Sequence, residues 1–334
     1  MKNLTQTLFA LFCLSALPAC AQIKYPAKIT VRVVDDTGTP ITAGAVRAST
    51  FSKWIRGEGF GYDEYEHFDA PLNKEGVAEI DMLMLRKDFG YWPMVDEKHY
   101  YSGGGGRYRF KQVENLRWEP WNPQLEIVVP RVLNPIPLYA RRMGGGPDLE
   151  LPTVGPIGFD LMVSDWVAPH GKGKQADFVF ERKTIIPAAD LNGAFDSIFT
   201  ITFANPGDGI QSHLASPKRR LLELPRQAPE DGYEPKLSKR ISRAAEGASI
   251  EYATREDQNY FFRVRTVLDP NGKVISALYG KIPGDIQFFA GSSPKGYAKF
   301  IYYLNPTSLD RNLEYDPKRN LLPDTVSGTN ITEP

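Results

Sequence analysis

The sequence predicts an all-β protein built from two β-sandwich domains, with one short helix. Three observations carry that expectation. Glycine (29) and proline (27) are abundant and aromatic residues make up 12% of the chain, a composition that favours many short strands over long helices. Apolar residues recur at every second position in many short runs, the period of a strand with one face buried. Turn clusters rich in Gly, Pro, Asn and Asp separate those runs.

The N-terminus reads as an address. Residues 1–21 carry a lone Lys2 and an apolar core, Leu8–Leu14, that is shorter than the ~20 residues a membrane span needs. Two cuts fit the end of this signal peptide. Ala19-Cys20-Ala21 is an A-x-A-type site, and Leu17-Pro18-Ala19-Cys20 is similar to a bacterial lipobox, with Cys20 as the lipidation candidate and Pro18 as the departure from its pattern. Cys13 and Cys20 are the two cysteines, so after either cut no disulfide remains and about 310 residues rely on an apolar core. Export places the chain in the periplasm, on the outer membrane through a lipid anchor, or outside the cell. Charge is balanced, with 40 Lys and Arg against 40 Asp and Glu, which argues against a nucleic-acid partner. Membrane contact is expected only through the lipid anchor.

The first domain is expected over 26–135. Ile29, Val31 and Val33 alternate with Thr30 and Arg32, and Asp35–Pro40 is a turn cluster. Ile41–Thr50 resumes an extended pattern. A turn at Asn73–Gly76 leads into alternating Ala78, Ile80, Met82 and Met84, and Leu125, Ile127 and Val129 close the region. The stretch "ITVRVVDDTGTPITAGAVRAS", followed by "LNKEGVAEIDM", resembles the carboxypeptidase regulatory-like (transthyretin-like) domain family: Asp36, Gly38, Pro40, Ala45, Val46 and Gly76 fall on its D-x-x-G-x-P, A-x-V and turn plan. The resemblance covers about a third of the chain. It implies a seven-stranded Greek-key sandwich, with no catalytic residues of its own and a structural or binding role.

Two stretches depart from that plan and read as long inserts, 52–70 and 89–123. Four of the five tryptophans lie in or beside them. Loops of a rigid sandwich commonly carry function, and Trp and Tyr suit sugar stacking and protein contacts. The ligand-binding candidates are therefore Trp92, Tyr100, Trp118 and Trp121, with Trp166 of the second domain; the alternative is that these rings pack the loops down.

Residues 136–156, rich in Pro and Gly, read as a linker. The second sandwich is expected over 157–320, from alternation at Ile157, Phe159, Leu161 and Val163, at Phe199, Ile201 and Phe203, and through a meander of four runs between Phe262 and Leu304. Antiparallel strands at that spacing suit a sandwich or jelly roll. The helix is placed between Pro235 and Gly247, with Leu237, Ile241 and Ala244 on one face and Lys236, Lys239, Arg240 and Arg243 on the other. Residues 321–334 are expected as a flexible tail. This half resembles a group of exported bacterial proteins with no assigned activity, through "NPIPLYARR", "GFDLMVSDWVAPHGKGKQADF", "ITFANPGDGIQ" and "YFFRVRTVLDPNGKVISALYGKIPGDIQF".

Chemistry has few carriers. His67, His99, His170 and His213 fall in no metal-ligand spacing, and no nucleophile elbow is present. No cofactor or metal is therefore expected. The best polar constellation is Asp160, Asp165 and Asp177 near Trp166 and His170. Carboxylates beside an aromatic would serve glycoside hydrolysis as an acid/base pair; surface acids beside a turn is the plainer reading. The sequence thus points to an exported, non-catalytic envelope or secreted protein that binds a glycan or a protein partner through aromatic loops. The alternatives are a polysaccharide hydrolase with its site in the second domain and a structural assembly protein.

Overall fold

The structure, a computed structural model, describes residues 23–57, 59–101, 104–144, 149–151, 155–185, 193–215, 222, 224–244, 248–252, 254–289 and 296–334. The signal segment and Cys20 lie outside the described residues. Every named element is a strand, and most paired strands run antiparallel. The chain divides into two units: residues 1–33, 40–94 and 105–127 form the first, and residues 34–39, 95–104 and 128–334 the second.

In the N-terminal part the strands are β1 (Tyr25–Asp35), β2 (Ala45–Ile55), β3 (Tyr62–Pro71), β4 (Val77–Met84), β5 (Asp88–Met94), β6 (Gly106–Arg109), β7 (Gln112–Glu114), β8 (Arg117–Glu119) and β9 (Gln124–Val129). They make a three-stranded sheet, β4-β1-β9, a four-stranded sheet, β3-β2-β5-β6, and the small hairpin β7-β8. Alternation decides what is buried. Ala27, Ile29 and Val31 of β1 pair with Met82, Ile80 and Ala78 of β4 on one buried face. Val46, Ala48 and Thr50 bury the facing side of β2. Each fully buried aliphatic side chain contributes about 1.5–3 kcal/mol before the entropy of ordering it.

Both expected inserts turn out to be sandwich. Residues 52–70 extend β2 and return as the edge strand β3, and 89–123 supply β5, β6, β7 and β8. In "YDEYEHFD" Tyr62, Tyr65 and Phe68 fall at every third position with polar residues between them, so this edge strand lacks the period of two that makes a strand visible. The turn before β4 is tightly built. Asn73 Oδ1 accepts from Glu75 N and Val77 N at 3.0 and 2.8 Å, and Gly76 has φ +72° with a would-be Cβ 2.7 Å from the Val33 carbonyl oxygen. A Gly76→Ala variant is expected to lose about 1–3 kcal/mol through backbone strain and that clash, read as a lower urea midpoint for the first unit.

The remaining strands are β10 (Tyr139–Met143), β11 (Glu150–Leu151), β12 (Ile157–Asp160), β13 (Asp165–Trp166), β14 (Phe178–Ile185), β15 (Phe195–Thr202), β16 (Gly209–Leu214), β17 (Lys236–Arg243), β18 (Glu251–Tyr252), β19 (Gln258–Leu268), β20 (Val274–Ile282), β21 (Gln287–Phe289) and β22 (Gly296–Leu304). One sheet has the order β13-β12-β14-β15-β17-β18. The other has the order β10-β22-β20-β19-β16, with β11 and β21 also paired to β22. Ring contacts join them face to face: Phe178 to Phe262 at 5.0 Å, Phe199 to Phe288 at 5.1 Å and Phe180 to Phe300 at 6.3 Å. This is the second β-sandwich that the meander predicts.

Three expectations are corrected here. The predicted helix is strand β17, paired with β15 along its whole length. Its inward row is Leu237, Lys239 and Ile241. A buried lysine, ion-paired to Asp285, interrupts the apolar alternation and leaves a pattern that mimics a helical face. The stretch 136–156 is not a bare linker, because β10 and β11 within it pair with β22 and bury Ala140, Met143 and Leu151. The stretch 321–334 is packed: Leu322 and Ile331 are buried, Arg142 N donates to the Gly328 carbonyl at 2.8 Å, and Tyr303 OH donates to the Glu333 carbonyl at 3.0 Å.

Candidate functional site

The carboxylate constellation of the second unit holds a loop in place. Asp160 ends β12, Asp177 precedes β14, and residues 161–176 lie between them. A register shift in β19 between Val264 and Val267 carries Arg265 at φ +53°, which is how a mid-strand arginine reaches both acids. Arg265 Nε donates to Asp177 Oδ1 at 2.7 Å, and its Nη2 lies 2.9 Å from Asp160 Oδ1 and 3.0 Å from Asp177 Oδ2. Asp160 also accepts four backbone N–H groups, from Met162, Val163, Lys174 and Gln175. Leu161 N donates to Asp177 at 2.8 Å. Burial raises the Asp160 carboxyl, yet the backbone donors and Arg265 bring it out below the ordinary carboxylate value. Burial wins at Asp177, which is held above that value despite Arg265. Asp165 caps the same loop, accepting from Trp166 N and Lys172 N at 2.8 Å each. All three acids are thus engaged in shaping the loop, and neither Asp160 nor Asp177 presents an open carboxylate to solvent. Among the described residues no group of His, Cys, Asp and Glu has metal-ligand geometry.

The five aromatic candidates separate into different environments. Trp118 is buried, donates Nε1–H to the Met84 carbonyl at 3.2 Å, and lies between Tyr25 and Phe110 at 6.3 and 6.2 Å. Trp166 packs edge-on against Phe159 and Phe180 at 5.2 and 5.7 Å. Tyr100 is half-buried in a backbone bridge to Arg131. Trp121 is partly exposed, with the Arg117 guanidinium 5.0 Å from its ring. Trp92 lines an open groove.

That groove, of about 1020 Å³, crosses the outer face of β3-β2-β5-β6. Strand register fixes its shape. His67, Ser49, Gly90 and Arg107 stand opposite one another across the four strands. The two central members are a serine and a glycine, so this row is low. On one side stands a taller row of Asp69, Arg47 and Trp92. On the other stand Tyr65 and Phe51 on β3 and β2, with Asp88 and Arg109 on β5 and β6. A low row between two high ones is a trough running across the strands. With strands ~4.8 Å apart it spans about 14 Å from β3 to β6. Trp92 lies edge-to-face with His67 at 6.3 Å, and the Arg86 guanidinium sits 3.3 Å over the Phe51 ring.

No protein-family model matches the chain. No curated protein matches it either. Among solved structures, the full-length major pilin SpaD from Corynebacterium diphtheriae aligns with it at a TM-score of 0.22 and 9% identity, over 86% of this chain and 84% of that one. A likeness at that level carries no argument about fold or function.

Sequence reasoning missed most of the groove. Ser49, Gly90 and Arg107 are inconspicuous in sequence and meet only through register. The β2–β3 hairpin also exposes the rings of Trp54, Phe60, Tyr62 and Tyr65, outside the five aromatic candidates. The signal is the density of rings over residues 60–68, at Phe60, Tyr62, Tyr65 and Phe68, which an insert reading conceals.

Proposed function

We infer that this chain is an exported, non-catalytic β-sandwich protein of the cell envelope or its exterior that binds a glycan through the first unit. The trough over β3-β2-β5-β6 carries the reading. It offers an aromatic wall, a floor of small residues, and hydroxyl, imidazole and guanidinium groups along one row. Aromatic faces with a few placed polar groups are what a sugar ring requires. A peptide is less well served, because backbone groups of these inner strands are already paired and the trough crosses the strands instead of following an edge. The orders β4-β1-β9 and β3-β2-β5-β6 make a seven-stranded two-sheet plan, which supports assigning 26–135 to the carboxypeptidase regulatory-like family. Export rests on the N-terminal address, and the mass of the mature N-terminus distinguishes a lipidated Cys20 from cleavage before Gln22.

The test is retention of the purified mature protein on immobilised polysaccharides and envelope fractions. The wild type is expected to be retained, and Trp92→Ala to lose at least tenfold in affinity while keeping its melting temperature within a few degrees. Absence of retention across a broad panel would remove the binding reading.

A further inference from the structure

The geometry points to an acidic oligosaccharide, one bearing uronate carboxylates, as the ligand of this trough, with Arg107 as the residue that recognises the carboxylate; this rests on the glycan reading above. The argument is a charge census of the walls. Arg86 is 3.3 Å from Asp63, Arg109 is ion-paired to Asp88, and Glu64 is 3.0 Å from Lys53. On the neighbouring row Arg47 is 2.6 Å from Asp69. Each of these charges is neutralised within the protein. Arg107 is exposed, stands at the β6 end of the low row, and has no ion-pair partner among the described residues. Among the described residues the trough therefore carries one uncompensated cation, and its planar fork suits a carboxylate bound through two parallel N–H···O bonds. Trp92 presents a ring for a sugar face at mid-trough, next to Gly90, whose would-be Cβ lies 3.6 Å from the Trp92 ring. The Ser49 hydroxyl and the His67 imidazole follow towards β3. A chain of sugars lying along the row meets, in order, a guanidinium, an aromatic wall, a hydroxyl and an imidazole.

Gly90 makes the proposal separable from a fold defect. Its contacts at 3.6 and 3.9 Å are ordinary, and its φ lies outside the left-handed region, so a Cβ fits there without backbone strain and a longer side chain is expected to project into the trough. The experiment is calorimetric titration of the mature protein with short oligomers of galacturonate, mannuronate and glucuronate. The same oligomers with methyl-esterified carboxyls, and oligo-α-glutamate, are titrated in parallel. At least one uronate series is expected to bind tenfold or more tightly than its methyl ester. Arg107→Ala should remove that preference, Arg107→Lys should retain part of it, and Gly90→Leu should abolish binding of both forms. Equal binding of acid and ester, blocked by Gly90→Leu, overturns the carboxylate inference and leaves the glycan reading standing. A preference that survives Arg107→Ala overturns the assignment to Arg107. Tighter binding of oligo-α-glutamate than of any uronate overturns the sugar class. No binding of any uronate or ester, together with no retention on neutral polysaccharides, overturns both.

Discussion

An Arg265→Ala variant is expected to destabilise the second unit by about 3–5 kcal/mol, the cost typical of removing one partner from a buried charge group. The two carboxylates it serves are almost fully buried, at 2% exposure for Asp160 and 0% for Asp177. Without the guanidinium, Asp160 keeps its four backbone donors, whereas Asp177 keeps one, Leu161 N. The damage therefore concentrates at Asp177. A loss of that size is a large part of the 5–15 kcal/mol that typically holds a domain together. The pH dependence follows from the directions of the shifts. Asp160 lies below its ordinary value in the folded chain, so its contribution is present above that value and fades as pH falls through the lowered one. Asp177 already lies above its ordinary value, so its ionised form costs stability at neutral pH, and that cost lessens as the carboxyl takes up a proton. Removing the cation moves both carboxyls upward. The deficit of the variant relative to wild type is then greatest near pH 7 and shrinks in mild acid. Adding Asp177→Asn to Arg265→Ala should recover part of the loss, since a carboxamide oxygen still accepts from Leu161 N without a charge to bury. Thermal melts at pH 7 and pH 4.5 measure all of this. Equal melting temperatures for variant and wild type would show the cluster to be energetically idle.

That cluster also shows where reading from sequence stops. The strands around it are legible, because Phe178 and Phe180 alternate and Phe262 and Val264 do so too. Asp160 and Asp177 are visible as acids near a tryptophan. Their partner lies 88 residues beyond Asp177 and reaches them through a β-bulge. Nothing local in "FFRVRTVL" marks the second arginine as an inward residue. Lys239 is the same problem in another form. A buried cation neutralised by Asp285 reads as a surface residue, and with it the strand β17 reads as a helix. The trough is the mirror case. Its floor is made by what Ser49 and Gly90 lack, and a row of small residues acquires meaning only when four strands are placed in register. Patterns of burial along one strand are written in the sequence. Charge pairs and grooves that join distant strands are not.

Lys281 supplies the second large effect, of opposite sign. It sits on β20 at 2% exposure, donates Nζ–H to the Pro334 carbonyl at 3.1 Å, and lies 4.7 Å from the Tyr303 ring centroid. Unlike Lys239, it has no side-chain carboxylate in ion-pair contact among the described residues. Burial pushes its ammonium down to about 7 from an ordinary 10.5. The unfolded chain thus holds this proton up to about pH 10.5 and the folded chain gives it up above about 7. Between those values the unfolded state binds more protons, and stability from this group rises with pH. Below about 7 the penalty for burying the charge is complete and constant. Lys281→Met keeps an unbranched stem in the same space and removes the charge, and so should stabilise the second unit at pH 6 by about 1–3 kcal/mol. At about 2–4 °C per kcal/mol the gain is readable as a melting shift. Wild type should close the gap as pH rises from about 7 towards 10.5, because the folded chain then buries a neutral amine while the unfolded chain still holds the proton. A methionine variant less stable than wild type at every pH would mean that the Pro334 and Tyr303 contacts outweigh the buried charge. A gap independent of pH would mean that the ammonium is not depressed at all.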